Sequence, residues 1–278
     1  MAEQNWCQID FPEVEALALF FAASEYCLPP FLHTMPKLKV VFIYNYGSKR
    51  ATIHRLPCFL SFTQIKSVAL ERLIVSRLYD YCKYWESLEK LYVCLCEGLG
   101  NMTLLDTEEV LKLPKMVEIN LDHCIDLKEF SRKICNLTSL ERLSVTNCHL
   151  IQKLPDDLTR LKSLKVLKFS ACPSLSMLPP SICKLGQLEF LDISLCRSLK
   201  DLPMEFCQLS NLKMLDMRKC SGLKKLPKGL TKLRYLQHVI CGCDKNTERQ
   251  RQSIKTFAIP NLIIDLVEES FNLDWLDY

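Results

Sequence analysis

A hydrophobic frame of the form Leu-x-x-Leu-x-Val recurs along this chain, and its period restricts the fold more than any other feature. It occurs at Val14/Leu17/Leu19, Leu38/Val41/Ile43, Ile65/Val68/Leu70, Leu88/Leu91/Val93 and Met116/Ile119/Leu121. It returns at Leu140/Leu143/Val145, Leu164/Leu167/Phe169, Leu188/Leu191/Ile193, Leu212/Leu215/Met217 and Leu236/Val239/Cys241. The steps between these ten copies are 24, 27, 23 and 28 residues, then 24 five times. The second half of each unit keeps the same period. Leu154-Pro155, Leu178-Pro179, Leu202-Pro203 and Leu226-Pro227 align, as do Leu158, Ile182, Phe206 and Leu230.

A 24-residue unit of this pattern lies within the range of the leucine-rich repeat. Leu143 and Val145 are two apart, so on a strand both point inward. One unit cannot bury its leucines alone. Stacking units pairs each strand in parallel with the next and builds a continuous apolar spine. With a strand spacing near 4.8 Å, ten rungs make an arc of about 45 Å. The Leu-Pro step disfavours αR before the proline, so the return limb is expected to be extended, 3-10 or short helix. The predicted fold is an α/β solenoid, a leucine-rich-repeat horseshoe with its parallel sheet on the concave face.

Cys124, Cys148, Cys172, Cys196 and Cys220 share the period. They occupy the turn position where this repeat type carries Asn or Cys. Adjacent rungs hold them near strand spacing, too far apart for a disulfide without backbone movement. The expected role is a buried ladder whose thiols bond weakly to turn carbonyls. Zinc needs four convergent ligands, commonly CxxC pairs, and only Cys94-x-Cys96 and Cys241-x-Cys243 come near that spacing. No metal and no cofactor is expected.

Charge and motifs narrow the function. The formal net charge of +4 is close to balance and does not call for nucleic acid. The first residues lack a basic start followed by an apolar core, and no apolar run reaches 18 residues, so neither secretion nor stable membrane insertion is expected. Sixteen cysteines in such a chain predict reduced intracellular thiols. There is no GxxxxGK[ST], GxSxG, HExxH or GxGxxG. A binding module is expected rather than an enzyme.

The working surface should be the outward residues of the strands. The candidates are Phe20, Phe42, Tyr44, Tyr92, Asp122, Arg142, Lys168, Phe190, Asp192, Asp216 and Arg218. The first four form an apolar and aromatic group unusual for a solvated face, which suggests a partner site. Packing against a cap or an absent domain would explain the same residues. Three regions are predicted within one continuous solenoid: irregular repeats with an N-terminal cap over 1–115, regular repeats over 116–243, and a C-terminal cap over 244–278. Leu262, Ile264 and Leu266 are expected to supply a final strand, and the longest candidate loop is 97–109.

Several stretches go beyond a generic repeat: FPEVEALALFF, LPPFLHTMPKLKVVFIYNYG, LSVTNCHLIQKLPDDL, LDISLCRSLKDLP, DMRKCSGLKKLPKGL and FNLDWL. Together they resemble the repeat region of plant intracellular NLR immune receptors, closest to the helper class of "activated disease resistance" and "N requirement" proteins. The resemblance implies a role in plant innate immunity, exerted by binding proteins. It implies two partners, the nucleotide-binding module of such a receptor and lipase-like immune heterodimers. It also implies a cytoplasmic location, with plasma-membrane or nuclear association through partners. The helical bundle and nucleotide-binding module of the family have no counterpart in this sequence. The alternative reading is a scaffold or substrate adaptor outside immunity, of ubiquitin-ligase or phosphatase type.

Overall fold

The computed structural model describes residues 10–54, 63–75, 85–100, 113–130, 132–223, 228–242 and 263–267. Leu226-Pro227, Leu262, the FNLDWL ending and most of the 97–109 segment lie outside the described residues.

Fourteen strands are described. They are β1 (Ala16–Phe21), β2 (Glu25–Cys27), β3 (Val40–Asn45), β4 (Ala51–His54), β5 (Ser67–Glu71), β6 (Leu73–Ile74) and β7 (Lys90–Cys94). They continue with β8 (Glu118–Asp122), β9 (Arg142–Thr146), β10 (Val166–Ser170), β11 (Phe190–Asp192), β12 (Met214–Asp216), β13 (His238–Gly242) and β14 (Ile263–Val267). Eleven of them form one parallel sheet in the order β1-β3-β5-β7-β8-β9-β10-β11-β12-β13-β14. The register follows the repeat. Leu17, Val41, Val68, Leu91, Ile119, Leu143, Leu167, Leu191, Leu215, Val239 and Ile264 fall in one column. From Val41 to Val239 this column is buried. Complete burial of each such side chain is worth about 1.5–3 kcal/mol, and only the stack makes it available. At the first rung Val14, Leu17 and Leu19 are only partly buried.

From β3 to β13 the strands of the long sheet begin in the same way. Lys165 N and Val166 N both donate to Glu141 O, and Glu189 N and Phe190 N both donate to Lys165 O. Short returns close the units behind the sheet. They include the 3-10 helices Pro30–Thr34, Pro180–Lys184 and Met204–Gln208, the first two preceded by Pro29 and Pro179 in extended conformation and the third by Pro203. They bury Leu32, Ile182 and Phe206 against the spine. No described helix exceeds five residues. The fold is thus the expected solenoid, with parallel strands on one limb and short 3-10 turns on the other.

One element has no precursor in the sequence reading. A second parallel sheet, β2-β4-β6, flanks the irregular repeats, and a parallel bridge from Ile74 to Glu97 carries it one rung further. Asn45 anchors the turn that feeds it. Its Nδ2 donates to Lys49 O (2.7 Å) and Arg72 O (3.3 Å), and its Oδ1 accepts from Gly47 N (2.9 Å) and Ala23 N (3.3 Å). A Cβ at residue 47 would stand 2.9 Å from that Oδ1, so a larger residue there would displace the Asn45 amide.

The cysteine ladder is buried, and it starts one rung earlier than the 24-residue spacing shows. Cys96, Cys124, Cys148, Cys172, Cys196 and Cys220 are free and closed to solvent. Their thiols reach strand carbonyls of the preceding rung rather than turn carbonyls alone. Cys196 Sγ lies 2.9 Å from Phe169 O, and Cys220 Sγ lies 2.9 Å from Ile193 O. Burial pushes the Cys196 and Cys220 thiols up to about 12, so they stay protonated and unreactive.

Candidate protein-binding face

Alternation along each strand leaves three outward columns on the concave face. One runs Ala18, Phe42, Ala69, Tyr92, Asn120, Ser144, Lys168, Asp192, Asp216. A second runs Phe20, Tyr44, Glu71, Cys94, Asp122, Thr146, Ser170. The third holds Val40, Arg142, Val166, Phe190 and Met214. All eleven sequence candidates stand on this face or at its strand ends.

At the N-terminal end the structure brings three of them together. Phe20 packs edge-on against Phe42 (5.5 Å between ring centroids) and Tyr44 (6.0 Å), and Phe42 lies parallel to Tyr44 at 6.1 Å. Phe20 is 59% exposed and Val40 42%. Tyr92, 37% exposed, stands apart from this group, beyond Ala69. Its phenol is held above the ordinary range by a hydrogen bond with Cys94, by partial burial, and by the Asp122 and Glu71 carboxylates. Ala69 and Glu71 were not among the candidates, although the alternation of β5 gives both.

In the middle of the face Asp122 is a hub. It accepts from Thr146 Oγ1 (2.5 Å) and Asn147 Nδ2 (2.8 Å), and His123 Nδ1 lies 3.0 Å away. Burial alone would raise this carboxyl, but the donors outweigh it and hold it below its ordinary value. Arg142 is exposed at the start of β9.

Toward the C-terminal end the expectation needs correcting for two residues. Asp192 and Asp216 lie in the outward column but are each 3% exposed. Asp192 Oδ1 accepts from Ser194 N (2.9 Å), and Lys168 Nζ stands 3.5 Å from the same carboxylate. Asp216 Oδ1 accepts from Arg218 N (3.1 Å), and the Arg218 guanidinium grips both oxygens at 2.6–3.0 Å. These carboxylates fold back on the chain two residues on, so β11 and β12 are only three residues long. Phe190 is half-buried between Val166 and Met214.

Among the described residues there is no group of three or more His, Cys, Asp or Glu placed to hold a metal ion. Nor is any described helix long and apolar enough to cross a membrane. The chemistry this face offers is aromatic, apolar and charged contact.

Strands stacked in parallel register, a cysteine-lined turn and 3-10 returns are the features of a leucine-rich-repeat solenoid. The family described as Leucine Rich Repeat matches residues 139–161. The leucine-rich repeat domain of the type III effector XopL superposes over 92% of this chain and 77% of its own, with TM-score 0.56 and 20% identity. Toll, in its complex with Spatzle, superposes over 76% of this chain and 31% of its own, with TM-score 0.52 and 15% identity. These likenesses show the fold.

The homologues of this chain are plant disease resistance proteins. A putative disease resistance protein of Arabidopsis thaliana is 36% identical over 142 residues, which is 50% of this chain and 22% of that relative. Disease resistance protein ADR1 of the same plant is 37% identical over 145 residues, 52% of this chain and 18% of its own length. The matched segments therefore span about a fifth of the relatives' length.

Proposed function

We propose that this chain acts as a protein-binding module in plant innate immunity, working through its concave face and without catalysis. The observation that carries the reading is the aromatic group of exposed Phe20 and half-buried Phe42 and Tyr44 on the sheet, on a chain whose homologues are disease resistance proteins. Large rings left exposed on a rigid concave sheet are the usual anchors of protein recognition. In this reading the partners are the nucleotide-binding module of an NLR-type receptor and lipase-like immune heterodimers, met in the cytoplasm. Arg142, Lys168 and Arg218 supply charge along the same face, while Asp192 and Asp216 hold Lys168 and Arg218 in place. In this reading the described strands belong to one solenoid, with β14 paired onto β13 at its C-terminal end, and the rest of the proposed 244–278 cap lies outside the described residues.

The test is recovery of partners from elicited plant tissue with the tagged chain, compared with Phe42→Asp and Phe20→Asp. Both variants are expected to stay folded by circular dichroism and to lose the immune-receptor or lipase-like proteins the parent recovers. Recovery undiminished by either substitution would remove the aromatic face from the function. Insolubility of Phe42→Asp together with full recovery by soluble Phe20→Asp would mean that the rings serve packing.

A further inference from the structure

We propose that the slot over Ala69 takes a lysine or arginine side chain from an extended segment of the protein partner; this rests on the reading of the concave face as the binding surface. Ala69 stands in register with Phe42 on one side and Tyr92 on the other. Two strand spacings put the Cα atoms of Phe42 and Tyr92 about 10 Å apart. Side chains stand roughly perpendicular to a sheet, so two large rings flank a methyl group and leave a slot between them. A cation centred there lies within about 6 Å of both rings, the range in which cation–π attraction acts.

The acidic groups beside the slot are Glu71 and Asp122. Glu71 stands in register between Tyr44 and Cys94, and among the described residues no ion pair holds its carboxylate. Its field and that of Asp122 both reach the Tyr92 hydroxyl. The neighbouring cations are committed elsewhere. Lys66 pairs with Glu89 at 3.0 Å, Lys90 approaches Glu118 at 3.9 Å, and Arg50 pairs with Glu97 at 2.8 Å. Arg72 donates to Gly47 O at 3.1 Å, and His123 faces Asp122. A slot with aromatic walls and an unpaired carboxylate at its rim complements a cation on an apolar stem, and lysine and arginine are built that way. Phe20 and Val40, exposed beside it, fit an apolar side chain within a few residues of that cation on the same segment.

The experiment is selection of a displayed random 12-residue peptide library against the full chain, followed by calorimetric titration of selected peptides. The expected peptides carry Lys or Arg with an apolar residue within four positions. Their affinity should fall about tenfold or more in Glu71→Lys and in Tyr92→Ala, and stay within about twofold in Tyr92→Phe, which keeps the ring. Selection against Glu71→Lys should favour Asp and Glu instead. Peptides weakened by Phe42→Asp or Phe20→Ser but lacking a basic residue, or indifferent to Glu71→Lys, overturn the cation assignment and leave the binding face intact. Peptides indifferent to both Phe42→Asp and Phe20→Ser, or no selected peptide at all, overturn the binding face with it.

Discussion

At the scale of single residues, the turns that leave the sheet share one conformation. Arg72, Leu95, His123, Asn147, Ala171, Leu195 and Lys219 all hold positive φ, between 49° and 61°. From Leu95 onward each immediately precedes a ladder cysteine. The conformation lets the backbone N–H continue the ladder: Asn147 N donates to Ser170 O, and Ala171 N to Ser194 O, both at 3.0 Å or less. For a residue with a Cβ this costs about 1–2 kcal/mol. Glycine removes that cost but gives back about 0.5–1 kcal/mol of chain entropy. Ala171→Gly should therefore raise stability by about 0.5 kcal/mol, read as a higher urea midpoint, and Ala171→Val should lower it. A drop for the glycine variant would show that the methyl packs usefully there. The cysteine register marks the position of these turns, but apart from Asn147 their left-handed conformation is not legible, because leucine, alanine and lysine carry no such signal. The period imposes the conformation, and the residue tolerates it. Asp192 and Asp216 show a related effect. Alternation correctly assigns their column, but a short carboxylate can bend back to the N–H two residues on and bury itself.

At the scale of elements, the strand columns were legible because a two-residue alternation repeated every 24 residues admits one inward assignment. Leu167 shows what an inward place is worth. It is 1% exposed, between Leu143 and Leu191 in register. Leu167→Ala should cost about 2–5 kcal/mol in urea unfolding. Leu17→Ala, in the half-buried first rung, should cost less than about 2 kcal/mol, because less contact is lost. Equal losses would contradict the graded burial along the stack. Outside the strands, exposed pairs join neighbouring rungs: Glu15 with Lys39 at 2.6 Å, Glu141 with Lys165 at 3.0 Å and Glu189 with Lys213 at 2.8 Å. Each contributes little in water. Their use is in register, since a slip by one rung would set several like charges side by side. The β2-β4-β6 sheet was not legible. Its strands are two to four residues long and fall in repeats whose spacing drifts from 23 to 28, so no period marks them.

At the scale of the whole molecule, the topology decides how far a local defect travels. Every strand of the long sheet pairs only with the rungs beside it, and the 3-10 returns likewise pack on their neighbours. Stability in such a stack is close to a sum of rung terms and nearest-neighbour terms. A cavity made in β10 therefore weakens β9 and β11 directly and reaches β3 only through every rung between. Native-state hydrogen exchange of Leu167→Ala measures this, because it reports local opening strand by strand. Amides of Arg142–Thr146 and Phe190–Asp192 should lose protection by a factor comparable to that of Val166–Ser170 itself. Amides of Val40–Asn45 should keep theirs within about twofold, since opening there does not require β10 to open. A uniform loss from β3 to β13 would mean that the chain opens as a single unit. The aromatic slot on β3, β5 and β7 would then be coupled to every rung of the stack, and core substitutions far from it would be expected to weaken binding as well.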